Sequence, residues 1–386
     1  MAAATLADFD WTDEQRALRD AALEFAESEL DRRVGDDGSA GFSRDAWEKC
    51  AAFGIQGLRV PPEYGGVGAD ATTTLLTLEA LGCGCGDGGL IFSLNAQMWA
   101  CETPLVEFGT EEQKRRYLPG LCAGSLIGAH AISEPGAGSD VLSLTTRAEK
   151  QGTHWVLNGS KTFVTNGPVA DVFVVFAVSD PSARFIGLSA FLVERETPGL
   201  TVGRPLEKMG LRTSPMSELF LDDCEVPESQ LLGRANGGMR VFGSAMEWER
   251  GCILASSVGR MQRQLERCIT YAQAREQFGQ PIGQFQAVAH RIVDMKVRLE
   301  TSRLLLYRFG RLLDGGAAAP LDAALTKLYL SECFVSSSLD AVQIHGGYGY
   351  MTEYELERDV RDAIGARIYS GTSELQRNVI ARQLGL

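Results

Sequence analysis

Residues 155–165 read Trp-Val-Leu-Asn-Gly-Ser-Lys-Thr-Phe-Val-Thr, and the reading of this stretch decides the fold class. Apolar and β-branched residues flank Asn158-Gly159, a dipeptide suited to the positive φ angles of a two-residue hairpin turn. Three further runs of the same character follow, at 171–179 (DVFVVFAVS), 188–195 (LSAFLVER) and 217–227 (SELFLDDCEVP), separated by Gly and Pro. No helical pattern lies between them, so they predict an antiparallel barrel or sandwich rather than a βαβ unit.

On both sides of this segment the period changes to that of helices. Thr12 to Gln15 (T-D-E-Q) is a capping box, with Leu18, Ala22, Phe25 and Ala26 following at helical spacing. Ser43 can cap a second helix that carries Trp47 and Ala51 and stops at Gly54. A turn-rich break at 61–70 precedes a third helix through Leu75, Leu76, Leu78 and Leu81, and Thr110-Glu-Glu-Gln113 heads another that should end near Pro119. After Gly237-Gly238 no proline interrupts the chain until past Arg275, which predicts one long helix from about Met239. Val288, Ile292, Met295 and Leu299 make one apolar stripe on the next helix. Gly315-Gly316 breaks that helix, and Pro320 fits the first turn of one running to about Ile344. The expected class is α+β: a helical domain over 1–125, a β domain over 126–235 and a four-helix bundle over 236–386.

The chain has 386 residues, with 50 acidic against 37 basic side chains and a net charge of −13. That balance argues against nucleic acid and anionic membranes as partners. No apolar window is long enough to span a bilayer, and MAAATLADFDWTDEQ has no basic-then-apolar leader, so the cytoplasm is the expected compartment. Nine scattered cysteines, an odd number, read as reduced thiols. No metal is expected: only Cys83 and Cys85 are close, and the four histidines are isolated. The Gly84-Cys-Gly86-Asp-Gly-Gly89 match to GxGxxG follows a helical pattern, so it fails the context test for a dinucleotide fold.

Two glycine-rich segments stand out. SEPGAGSD (Ser133 to Asp140) offers backbone N–H groups and two hydroxyls to a polar ligand, although composition alone favours an ordinary turn. QIHGGYGY (Gln343 to Tyr350) permits close backbone approach by a ligand or a second chain, or serves as a helix C-cap. With HAISEPGAGSD, NGSKTFVTNG, AREQFGQPIGQFQ and IYSGTSELQRNVIARQLG, these segments run in the order and spacing of the acyl-CoA dehydrogenase flavoproteins, and the chain resembles that family along essentially its whole length. KMGLRTSPMSELFLDD (208–223) and MEWERGCILAS (246–256) are similar to members from secondary metabolism that oxidise acyl groups on carrier proteins, including prolyl-carrier-protein dehydrogenases.

The resemblance implies FAD held between the β domain and the C-terminal bundle. His130, Ile132, Ser133, Gly138 and Ser139 match the loop at the flavin's pyrimidine edge and pyrophosphate, and Ser139 is also implied to meet substrate. Phe163, Val164 and Thr165 match the strand that covers the ring, where the family usually has Trp instead of Phe163. Arg275, Phe278 and Gln286, with Gln343, Gly346 and Gly347, match positions that reach the FAD of a neighbouring subunit, which implies a dimer or tetramer. An arginine on a diphosphate is physically sensible as a bidentate contact. Thr372 and Glu374 match the last FAD-contacting segment. Glu247, Arg250 and Arg377 are the expected substrate-side residues.

Most of the family places the catalytic glutamate just before the Gly-Thr of the tail motif, where this chain has Ser370, which cannot accept a proton at neutral pH. A minority, the isovaleryl type among them, carries the base on the long helix directly before an arginine, and Glu249 matches that position. The resemblance then implies that Glu249 takes the α-proton of a thioester while the β-hydride passes to flavin N5. The Ser370 N–H helps to polarise the thioester carbonyl. The substrate is an acyl-CoA or acyl-carrier protein and the implied electron acceptor an electron-transferring flavoprotein. A flavin oxidase or monooxygenase on the same fold, or a non-catalytic flavoprotein scaffold, are the alternatives.

Overall fold

A computed structural model describes residues 11–30 and 41–386; the first ten residues, read above for a leader, lie outside them. The N-terminal part is helical: α1 (Asp13–Phe25), α2 (Arg44–Phe53), α3 (Ala71–Gly84), α4 (Gly88–Gln97), α5 (Thr103–Phe108) and α6 (Glu111–Cys122), with a π-helical segment at Met98–Glu102. Thr12 and Thr110 each complete a capping box, Ser43 caps α2, and Gly54 closes α2 in a left-handed conformation. Helix α6 carries Pro119 inside it and continues to Cys122, three residues beyond the expected stop.

The middle part is a sheet of eight strands: β1 (Gly128–Ala131), β2 (Arg147–Gln151), β3 (His154–Thr165), β4 (Val172–Val178), β5 (Leu188–Glu194), β6 (Leu200–Val202), β7 (Met216–Pro227) and β8 (Leu231–Leu232). Its path is β6-β7-β3-β2-β4-β5-β8, with β1 joined to β4. The pairing is mostly antiparallel, but β1–β4 and β2–β4 are parallel. Asn158-Gly159 is not a hairpin turn. β3 runs straight through it, and the β2–β3 reversal falls at Gly152-Thr153 instead. Gly159 has φ 149° and marks a register shift against β7, while the Asn158 side chain exchanges hydrogen bonds with Asp223. The dipeptide serves as a bulge, the other structure that a strand glycine favours.

The C-terminal part holds α7 (Gly238–Cys252), α8 (Ala255–Ala274), a two-strand hairpin of β9 (Glu276–Gln277) and β10 (Gln280–Pro281), α9 (Gln286–Asp314), α10 (Pro320–His345), α11 (Leu356–Ala366) and α12 (Ser373–Gln383). The long helix expected from Met239 is in fact two, α7 and α8. Just before the break the Phe309 ring packs on Gly251, where a Cβ would stand 1.9 Å from a ring carbon. Helices α3 and α8 approach almost backbone to backbone. A Cβ on Gly82 would meet the Ser256 carbonyl, and one on Gly259 the Glu79 carbonyl, each at 1.9 Å. Buried Glu79 also bonds Arg303 and the hydroxyl of Tyr307, tying α3 to α9. The N-terminal helices and the bundle thus share one core, which includes Trp47, Trp99 and Phe309. No described helix is long and apolar enough to cross a membrane.

Candidate active site

Glu249 lies in the last turn of α7 and is half-buried. The Ser370 hydroxyl donates to its Oε1. Burial pushes the carboxyl above its ordinary range, while the Ser370 hydrogen bond and the charges of Arg250 and Lys327 oppose that shift. Ser370 and Gly371 form a turn with both residues at positive φ, 56° and 90°. Arg250 Nε donates to the Ser370 carbonyl at 3.2 Å, and Gln376 Nε2 reaches the Ser370 and Gly371 carbonyls at 3.1 and 2.9 Å. Buried Lys327 donates to the Gly371 carbonyl at 2.6 Å. Thr372 caps α12 beside this turn. Glu247, expected on the substrate side, is instead occupied by the backbone N–H of Ala319 at the start of α10. It is two residues from Glu249 and so faces elsewhere on the helix. Arg377 is exposed, 4.0 Å from Glu374.

The Trp248 ring stacks on Trp99 at 6.1 Å and carries the Arg59 guanidinium at 3.7 Å. Met246 is core.

A second group gathers at the β domain. The Ser133–Asp140 loop is built on buried Glu134, which accepts from Thr145 N–H and hydroxyl, from Thr146 N–H and from Lys161 Nζ at 2.7 Å. Burial alone would raise the Glu134 carboxyl, but these donors outweigh it and hold the group at about 2. The Thr162 N–H donates to the Ser133 carbonyl at 2.9 Å, bringing the loop against the Phe163–Thr165 end of β3. Ile132 and Val164 are buried, whereas Gly138 and Ser139 are exposed.

A third group lies beyond α8. Arg275, Phe278, Gly346 and Gly347 line one cavity of about 660 Å³ with Phe285 and Tyr348. Arg275 sits 5.7 Å from the Tyr348 ring. Gln286 opens α9, and the Gln343 carbonyl accepts the N–H of Gly346, which has φ 59°. Among the described residues no hydrogen bond, ion pair or ring contact links Arg275 or Phe278 to the β-domain group.

Three features of the chain fit a planar, polar-edged cofactor such as a flavin. Phe163 is 65% exposed in the left-handed region at φ 56°, a conformation that interior packing does not explain. His130 Nε2 is buried with no hydrogen-bond partner among the described residues, and burial holds the ring neutral, at about 4. Phe278 is 95% exposed at φ 52° beside two glycines whose Cβ positions are open.

No sequence motif singles out Lys327, Gln376, Lys161 or Glu134, whose hydrogen bonds hold the Ser370 turn and the Ser133 loop. Periodicity marks the two lysines. Lys161 shares the inward parity of Trp155 and Leu157, and Lys327 stands on the buried stripe with Ala323, Leu330 and Phe334.

Models of the acyl-CoA dehydrogenase N-terminal, middle and C-terminal domains match residues 12–125, 129–224 and 236–385. The chain is 44% identical to an L-prolyl-[peptidyl-carrier protein] dehydrogenase of Pseudomonas fluorescens, over 98% of this chain and 100% of the relative. It is 38% identical to the mitochondrial isovaleryl-CoA dehydrogenase of Pongo abelii, over 96% and 88%. The solved structure of the prolyl acyl carrier protein oxidase AnaB superposes with a TM-score of 0.95 at 49% identity, covering 97% of this chain and all of that one. A solved structure of PigA with FAD and proline gives 0.95 at 43%, over 98% and 99%. The chain belongs to the acyl-CoA dehydrogenase family, FAD-dependent oxidoreductases that act on the CH–CH bond of acyl thioesters.

Proposed function

We propose that this chain dehydrogenates a small aminoacyl group of the prolyl type, presented as a thioester on a carrier protein, with Glu249 as the base. The observation that carries the base is the Ser370–Glu249 hydrogen bond: the serine at the tail motif cannot take a proton, and it orients the carboxylate that can. FAD, when bound, supplies the hydride acceptor. His130, Ser133, Ser139 and Phe163 would hold it from the β domain, and Thr372 and Glu374 from the tail. Arg275, Phe278, Gln286, Gln343, Gly346 and Gly347 would reach that of a second copy. Glu249 removes the α-proton, its proton affinity raised by burial toward the working range. The Ser370 N–H faces the thioester carbonyl, and Arg250 and Arg377 serve the substrate arm.

The carrier rests on likeness to the prolyl-carrier-protein enzymes. Exposed Val293, Val297, Leu304 and Leu339 on α9 and α10 support a homo-oligomer. The compartment is the cytoplasm and the acceptor an electron-transferring flavoprotein. Oxygen is the second reading, favoured by the description of AnaB as an oxidase. The test is anaerobic flavin bleaching: prolyl-carrier protein should act much faster than prolyl-CoA or a simple acyl-CoA. Equal or faster bleaching by a CoA ester would overturn the carrier, and turnover that needs only oxygen would decide the acceptor.

A further inference from the structure

Lys327 is fully buried on α10, yet among the described residues it makes no ion pair. Keeping an ammonium in the core without a carboxylate partner is costly. Its one hydrogen bond among the described residues runs to the carbonyl of Gly371 at 2.6 Å, and the Tyr369 ring lies 5.9 Å away. The carbonyl it holds belongs to a turn with two successive left-handed residues. Ser370, which is not glycine, is strained in such a conformation. That turn carries the Ser370 hydroxyl bonded to Glu249 and the Ser370 N–H expected at the thioester. Arg250 and Gln376 also grip the turn, but among the described residues Lys327 is its only charged donor at Gly371.

We propose that Lys327 is a positioning residue for the reaction: through the Gly371 carbonyl it fixes the turn so that Ser370 meets Glu249, and its buried charge favours the ionised base. The groups that face Glu249 are Arg250 on its own helix, Lys327 on α10, Ser370 and Tyr369 before the tail helix, and Cys101 from the π-helical segment. Lys327 and Arg250 are the two cations among them. Only Lys327 comes from an element that bears neither the base nor the serine.

The inference rests on Glu249 being the base, and the experiment separates the two ideas. A 3-thia thioester has an acidic α-proton and exchanges it with solvent deuterium on the FAD-loaded enzyme, which mass spectrometry reads without turnover. Lys327→Met should keep FAD, bind this ligand within a few-fold of wild type, and exchange it on the order of 10²-fold more slowly. The acid limb of its pH profile should move to higher pH. Lys327→Gln keeps a donor without the charge, so it should recover much of the rate while the limb stays raised. Wild-type exchange and an unmoved limb in Lys327→Met would overturn the proposal, as would a loss of stability or FAD with the limb unmoved. If Lys327→Met does not fold, Lys327→Gln decides alone: a raised limb supports the role and a wild-type limb overturns it. Wild-type exchange by Glu249→Gln would remove the base assignment itself, whatever Lys327 does.

Discussion

The hydroxyl of Ser370 donates to the carboxylate of Glu249 across 121 residues of sequence. Ser370, at the tail motif, thus serves the carboxylate that we propose as the base, on another element.

Removing the charge of Glu249 while keeping its shape should stop α-proton abstraction. Glu249→Gln is expected to stay yellow, bind thioester and lose about 10²–10⁴-fold in the rate of flavin bleaching. Glu247→Gln should leave that rate nearly unchanged, because its carboxylate is engaged by Ala319. Stopped-flow absorbance compares the two, and a larger loss at Glu247 would reverse the assignment.

Ser370→Ala removes a donor that favours the ionised carboxylate. Burial then acts with less opposition, so the pKa of Glu249 rises further. The base works when ionised, so the acid limb of kcat/KM should shift to higher pH, with a smaller effect on the plateau. An unmoved limb would mean that the hydroxyl does not bear on the base.

A raised folded-state pKa also has a sign for stability. Glu249 contributes fully below its unfolded value, about 4.3, and that contribution is lost as pH rises through the folded value. Glu249→Gln should therefore melt higher than wild type near neutral pH, with the difference closing in acid. Equal melting temperatures across the range would contradict this.

Lys161→Met strands the Glu134 carboxylate in the core and should destabilise the protein by about 3–5 kcal/mol. Pairing it with Glu134→Gln should recover part of the loss, as a denaturation cycle would show. The Glu134 carboxyl is held down, so its stabilising effect is complete above about pH 4.3 and fades as pH falls toward about 2.

Arg275→Ala should weaken flavin retention in the oligomer, read as bound flavin per chain after gel filtration. A wild-type monomer that keeps its FAD in full would contradict a shared site.

The helical ends of the chain were legible in sequence because caps act locally: Thr12, Ser43 and Thr110 mark helix starts whatever packs above them. Asn158-Gly159 was misleading for a matching reason. Turn chemistry is local, but whether a strand stops there depends on its partner, and β7 continues the pairing past the bulge. The pairing of Ser370 with Glu249 was half legible, since the missing carboxylate was plain in the tail motif and the hydrogen bond needed the fold. Lys327 was hidden because a lysine on an apolar stripe reads as a flaw in the pattern until the carbonyl it holds is known.

The break between α7 and α8 changes the electrostatics of Glu249. In an unbroken helix the residue would sit mid-span, where the backbone dipoles of successive turns cancel. Here α7 ends at Cys252, three residues on, and the last bond of the helix runs from the Ile253 N–H to the carbonyl of Glu249 itself. The Glu249 carboxylate therefore stands at the negative pole of a helix, where an anion is disfavoured by about 0.3–1 kcal/mol. Gly251, by admitting the Phe309 ring where the helix ends, helps to set how tightly the carboxylate of Glu249, two residues earlier in the chain, holds its proton.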